Sequence, residues 1–186
     1  MRLLLSIALA GGLALNEGAT RDVTTRRDLK SVTEIQGYSC AAGYAWFFTD
    51  GTLASCFVSR ASAFGGIEVP AKSWIQLTRD GRPRFVFLAQ DAAVNGFRCR
   101  GGGHDFSTAL YPTGELRTCW LAEDSVVDGV PCMRAGFIAD VFGGGVEVDF
   151  HSNGRLRRCK VSREFRYGGR VFAKGDHIVL DENGSM

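Results

Sequence analysis

One unit recurs about five times along this chain, and that recurrence constrains its fold more than any other feature. Its marker is a turn: Phe48-Thr-Asp-Gly51-Thr-Leu-Ala-Ser-Cys56, Thr78-Arg-Asp-Gly81-Arg-Pro-Arg-Phe-Val86, Tyr111-Pro-Thr-Gly114-Glu-Leu-Arg-Thr-Cys119, Phe150-His-Ser-Asn-Gly154-Arg-Leu-Arg-Arg-Cys159 and a truncated copy, Leu180-Asp-Glu-Asn-Gly184. The turn glycines lie 30, 33, 40 and 30 residues apart. Between them runs a second motif, apolar-x-Gly-x-x-Cys: Ile35-Gln-Gly37-Tyr-Ser-Cys40, Val94-Asn-Gly96-Phe-Arg-Cys99 and Val127-Asp-Gly129-Val-Pro-Cys132. Copies two and five carry Val69 and Val171 where the others have Cys, after Gly66 and Gly168. A near-constant period of this length marks a repeat architecture, in which each unit is one supersecondary element that buries its apolar face against its neighbours.

Four of the five turns are Asp-Gly or Asn-Gly, dipeptides that tolerate positive φ at both central positions of a type I′ turn, so each is expected to be a hairpin tip. In the strand after the turn one parity is apolar in every copy: Cys56 and Val58, Val86 and Leu88, Cys119 and Leu121, Cys159 and Val161. These positions should share a core. The other parity, with Phe57, Phe87, Trp120 and Lys160, predicts a second, partly covered face. No helical period persists after residue 20, and glycine, 24 of 186 residues, is nearly double its usual share of about 7%. The expected fold is all-β: a tandem repeat of short antiparallel hairpins forming an elongated sheet, solenoid or barrel-like array. One domain of about five copies should cover residues 34–186, preceded by a polar lead-in at 20–33 that includes a short helical turn.

Residues 1–19 read as a secretory signal. Arg2 precedes 13 uncharged residues, Leu3 to Leu15, and small residues follow; the run is shorter than the roughly 20 residues a spanning helix needs. A secreted or periplasmic protein without stable membrane insertion is expected. Six cysteines follow, with no C-x-x-C among them, so a metal site has no support and three disulfides are expected in an oxidising compartment. Copies one, three and four hold both cysteines, while copies two and five hold neither. Loss and gain in pairs predicts bonding within a copy: Cys40 to Cys56, Cys99 to Cys119 and Cys132 to Cys159.

The turn-and-strand segments, such as Phe150-His-Ser-Asn-Gly154-Arg-Leu156, resemble the hairpin units of bacterial MORN-like repeat proteins over about a third of each copy. The unit here is longer and adds the Gly-x-x-Cys segment. The resemblance implies a row of hairpins serving as scaffold or binding surface, and it carries no catalytic residues.

Catalytic signatures are absent: the sequence holds no G-x-S-x-G, P-loop, H-E-x-x-H or EF-hand loop. His104-Asp105, in a Gly-rich loop, is a pair that could orient an imidazole, while His151 and His177 read as strand-end and turn residues. Copies three and four carry insertions after the Gly-x-x-Cys motif, the second placing Phe137, Ile138 and Phe142 between glycines; insertions in repeat arrays map to loops on one face, often the binding face. From Arg155 to Lys174 there are eight basic residues and one acidic, whereas the whole chain carries only +2. Arg157, Arg158, Arg163 and Arg166, with Phe137, Phe142 and His104, are therefore the candidate binding residues, and an anionic envelope polymer or a protein the expected partner. The same stretch also reads as a solvated edge kept from aggregating by its charges. Neither a nucleic-acid partner nor a cofactor is implied. The leading expectation is an exported, non-enzymatic binding or scaffold module. The alternatives are a small secreted hydrolase using His104 and Asp105, or a structural envelope component.

Overall fold

The computed structural model describes residues 24–103, 105–136 and 147–186. A leading strand, Thr24–Leu29 (β1), precedes copy one, which comprises Thr33–Ile35 (β2), Tyr38–Phe48 (β3) and Leu53–Val58 (β4). Copy two is Ser62–Phe64 (β5), Ile67–Val69 (β6), Trp74–Leu77 (β7) and Pro83–Phe87 (β8); copy three is Ala92–Val94 (β9), Phe97–Cys99 (β10), Ser107–Leu110 (β11) and Leu116–Cys119 (β12). Copy four is Ser125–Val127 (β13), Val130–Cys132 (β14), Val148–Phe150 (β15) and Leu156–Lys160 (β16), and copy five is Phe165–Tyr167 (β17), Arg170–Phe172 (β18) and His177–Val179 (β19).

Each full copy is a short hairpin followed by a long one. The long hairpins join into one antiparallel meander, β1-β3-β4-β7-β8-β11-β12-β15-β16-β19, which ends without β1 meeting β19. The array is thus an open, elongated sheet. The short hairpins β5–β6, β9–β10, β13–β14 and β17–β18 form separate two-stranded sheets, and together they make a second layer over one face of the meander. The core fills the space between the layers as one continuous cluster from Cys40 to Leu180. On the meander side it consists of the parity read from the sequence, with Cys56, Val58, Val86, Leu88, Cys119, Leu121, Cys159 and Val161 all 0–1% exposed. The short hairpins contribute Phe64, Val69, Val94, Val127, Val130 and Phe172.

The turns divide differently from the sequence expectation. At the long-hairpin tips only the glycine has positive φ, as at Gly51 (86°), Gly81 (78°) and Gly154 (79°). The amide of Gly51 donates to the Phe48 carbonyl and that of Phe48 to the Thr52 carbonyl, a pattern repeated at all five tips. This is the three-residue loop in which a type I turn precedes a left-handed glycine. Asp and Asn serve it through their side chains: Asp50 accepts from the amide and hydroxyl of Thr52, Asn153 from the amide of Arg155, and Asp181 from the amides of Asn183 and Ser185. The type I′ turns lie instead in the second motif, where both central residues have positive φ: Gln36-Gly37, Gly65-Gly66, Asn95-Gly96, Asp128-Gly129 and Gly168-Gly169. Loop length decides between the two forms, because only a two-residue loop requires the primed turn. Copy five shifts accordingly: Phe172, paired with Phe165, takes the cysteine position, while Val171 is 54% exposed.

A β-bulge follows each of the first four tips. Ala54, Arg84, Arg117 and Arg157 are the extra residues there, since Trp46 faces Ser55 but Phe47 faces Leu53, and likewise in the later copies. The extra residue allows Leu53 and Cys56, three apart, both to face the core. Within copies one and four the short-hairpin tip reaches the same place: Gln36 Oε1 accepts from the amide of Leu53 and Asp128 Oδ2 from that of Leu156.

The lead-in differs too. Residues 24–29 form a strand along β3 instead of a helical turn, and Arg26 and Arg27 lay their guanidinium groups 4.5 and 4.4 Å from the ring centres of Tyr44 and Phe47. A basic strand can serve as an edge because its long side chains cover aromatic surface while their charges meet water and ring faces.

Hydrogen bonding also sets an acid dependence. Hydrogen bonds from Thr52 hold the Asp50 carboxyl below its ordinary pKa, one from Thr78 does so for Asp80, one from Thr113 for Glu115, and backbone amides, Ser185 first, for Asp181. A depressed folded-state pKa contributes stability that is complete above the unfolded value and disappears as pH falls through the folded one. Thermal unfolding should thus occur at progressively lower temperature as pH drops below about 4. A melting temperature independent of pH across that range would remove these bonds from the stability of the tips.

Candidate functional site

No described strand covers the outer face of the meander, opposite the short hairpins, in copies one and two. In copy three, by contrast, Phe106 packs over Trp120, and the neighbouring Ala109 and Thr118 are buried. The residues of the uncovered part follow from strand alternation in register: Trp46 faces Ser55, Ser55 faces Gln76, and Gln76 faces Phe85, with Phe57, Trp74 and Phe87 aligned in the adjacent row. In copies one and two this face is aromatic. Tyr44 and Phe57 meet edge to face at 5.9 Å, and Trp74 and Phe87 lie 5.4 Å apart. Tyr44, Trp46, Phe57, Trp74 and Phe87 line an open hollow of about 250 Å³. A second, of about 300 Å³, shares Phe57, Trp74 and Phe87 and continues past Lys72 to Gly102 and Gly103.

The repeat supplies its own control. The positions of Tyr44, Trp46 and Phe57 in copy one are held in copy four by Glu147, Asp149 and Lys160. In copy three Trp120 lies under Phe106, 5.7 Å away. The fold therefore does not require aromatic residues on this face, so their concentration in two copies is a property of the surface.

The sequence pointed to Phe57 and Phe87 through the strands after the turns, but Tyr44, Trp46 and Trp74 lie in the strands before them. Alternation with the buried Ala45, Phe47 and Ile75 was the available signal. The basic stretch is dispersed. Arg157 occupies the bulge of β16, and Arg158 lies on the outer face with its guanidinium 2.7 Å from Asp149. Arg163 is in the bend after β16, and Arg166 is on the solvent side of the last short hairpin, opposite the exposed Val171. Phe137, Ile138, Phe142 and His104 lie outside the described residues, and Asp105 is exposed. His151 links neighbouring tips through its Nε2 and the carbonyl of Leu180, 2.9 Å apart, where Tyr111 one copy earlier donates to the Phe150 carbonyl.

All six cysteines are bonded: Cys40 to Cys56, Cys99 to Cys119 and Cys132 to Cys159, the pairs expected from the repeat, with Cα atoms 5.7–5.9 Å apart. Each bridge stitches a short hairpin to the long hairpin of its own copy. Among the described residues no group of three or more His, Cys, Asp or Glu is placed to hold a metal ion, and no helix is long and apolar enough to cross a membrane. Compared with protein-family models, curated proteins and solved structures, the chain matches none.

Proposed function

We propose that this chain is an exported, non-enzymatic binding module of the cell envelope or extracellular space, and that its ligand lies on the aromatic face of copies one and two. The uncovered row of Tyr44, Trp46, Phe57, Trp74 and Phe87 carries this reading. Contiguous apolar surface on a soluble fold marks an interaction site, and the polar residues of copy four show that packing does not account for it. Export is supported by the N-terminal apolar run and by three disulfides, which persist in oxidising compartments. The Trp46→Ala/Trp74→Ala protein should stay folded but melt below the parent, because both indoles are half-buried on the sheet and Trp74 packs on Phe87. It should also lose retention on the surface of the producing cells. Retention equal to the parent's would overturn the assignment of function to this face.

A further inference from the structure

We infer that the aromatic face is a docking trough for an acidic polysaccharide, its sugar rings stacked on Trp46 and Trp74 and its acid groups held by Arg26, Lys72, Arg84 and Arg117. This rests on the reading of the chain as an exported binding module and names the class of ligand.

Shape is the first argument. Tyr44, Phe57, Trp74 and Phe87 lie on four adjacent strands, which at about 4.8 Å per strand makes a row of roughly 15 Å. The two hollows share three of their residues and run on from one another. They form a shallow trough, unlike the enclosing cleft that buries most of a small ligand. An extended polymer fits such a surface.

Chemistry is the second argument. Neither indole N–H, of Trp46 or of Trp74, has a hydrogen-bond partner among the described residues. A lipid chain would cover these donors without bonding them, which is costly. A sugar presents an apolar ring face to an aromatic ring and hydroxyl acceptors around its rim, satisfying both.

Charge is the third. Arg26 sits over Tyr44, and Arg84 and Arg117 sit 5.3 and 5.5 Å from the centre of the Phe85 ring. Lys72 lines the second hollow. Lys72, Arg84 and Arg117 make no ion pair among the described residues, and only Arg26 has an acid beside it, Asp28 at 3.3 Å. Arg84 and Arg117 are the extra residues of the bulges in β8 and β12, so equivalent positions of copies two and three place two cations around Phe85, beside one end of the trough. A polymer carrying acid groups complements these cations.

Affinity electrophoresis of the full chain in gels containing alginate, polygalacturonate or neutral dextran tests the inference, with tryptophan emission followed in solution and a thymidine oligonucleotide as a further probe. The expected result is salt-sensitive retardation by an acidic polymer and not by dextran. It should weaken about tenfold or more in Trp46→Ala/Trp74→Ala and in Lys72→Gln/Arg84→Gln/Arg117→Gln, each change of about 1.4 kcal/mol being tenfold. Equal retardation by dextran would overturn the acidic ligand, and tighter binding of the oligonucleotide would assign the face to single-stranded nucleic acid instead. Loss on neutralising Arg157, Arg158, Arg163 and Arg166 but not the trough residues would move the site to the basic stretch. Absence of binding to either acidic polymer would overturn this inference alone, since surface retention through Trp46 and Trp74 is measured separately.

Discussion

Replacing Cys99 and Cys119 together by alanine is expected to destabilise the domain by about 3 kcal/mol, and removing all three bridges to leave it largely unfolded at 37 °C. Each bridge closes a loop of 16 to 27 residues, a size for which chain entropy contributes about 3 kcal/mol. Three such contributions are comparable with the roughly 5–15 kcal/mol by which domains are stable. The geometry adds a second reason. A short hairpin is marginal alone; β9–β10 and β13–β14 are three-residue strands joined by two-residue turns, and each is held onto the meander by its bridge. Copy two holds its short hairpin with Val69 and Val86, both 0% exposed, in place of a bridge. All six cysteines are 0–1% exposed, so reductant should act only after opening, and the comparison belongs between purified variants in urea. Midpoints that agree between the parent and the Cys99→Ala/Cys119→Ala protein would show that apolar contact, with the backbone hydrogen bonds of Arg100 to Trp120 and of Ala122 to Arg98, holds this hairpin without its bridge.

The second large effect is expected at Gly114. Gly114→Ala should cost about 3 kcal/mol, roughly twice Gly81→Ala, although both glycines occupy the same place in their tips. Both have positive φ, 99° and 78°, and a side chain in that region costs about 1–2 kcal/mol. Around Gly81 a Cβ would meet nothing within 4 Å, whereas at Gly114 it would lie 2.6 Å from the carbonyl oxygen of Gly65. That oxygen belongs to the type I′ turn of copy two, whose own Gly65 is wedged against Pro83 and Leu110. Neither backbone can yield without moving a turn, so the clash separates two copies. Equal melting temperatures for the two variants would mean that this tip-to-tip contact contributes nothing to the array. The glycine run of copy three has a similar origin: Gly101 approaches the carbonyls of Leu88 and Gln90, and the amide of Gly102 donates to Leu88.

Much of this fold is legible in one copy. The hairpin tips, the buried parity of Cys56, Val58 and their equivalents, and the pairing of cysteines within a copy all depend on contacts between residues close in sequence, and alternation along a strand exposes them. The turn types were less legible, because glycine marks a left-handed position without saying whether two or three residues close the loop. At Gly168-Gly169 the Gly-x-x-Cys spacing counted from the first glycine points to Val171, whereas strand pairing puts Phe172 in the cysteine position.

By itself the sequence determined the repeat, its strands, its core-facing side chains and its covalent staples, because each follows from local periodicity or from covariation of positions within the unit. Only the tertiary structure decided that the sheet stays open, that the short hairpins form a second layer, and that β1 covers the first edge. It alone brought Tyr44, Trp46, Phe57, Trp74 and Phe87 together while dispersing the arginines between 157 and 166. Which side chains share a surface depends on strand register between successive copies and on which face the short hairpins cover. Both are set by packing across separations of 20 residues and more, which no local pattern records.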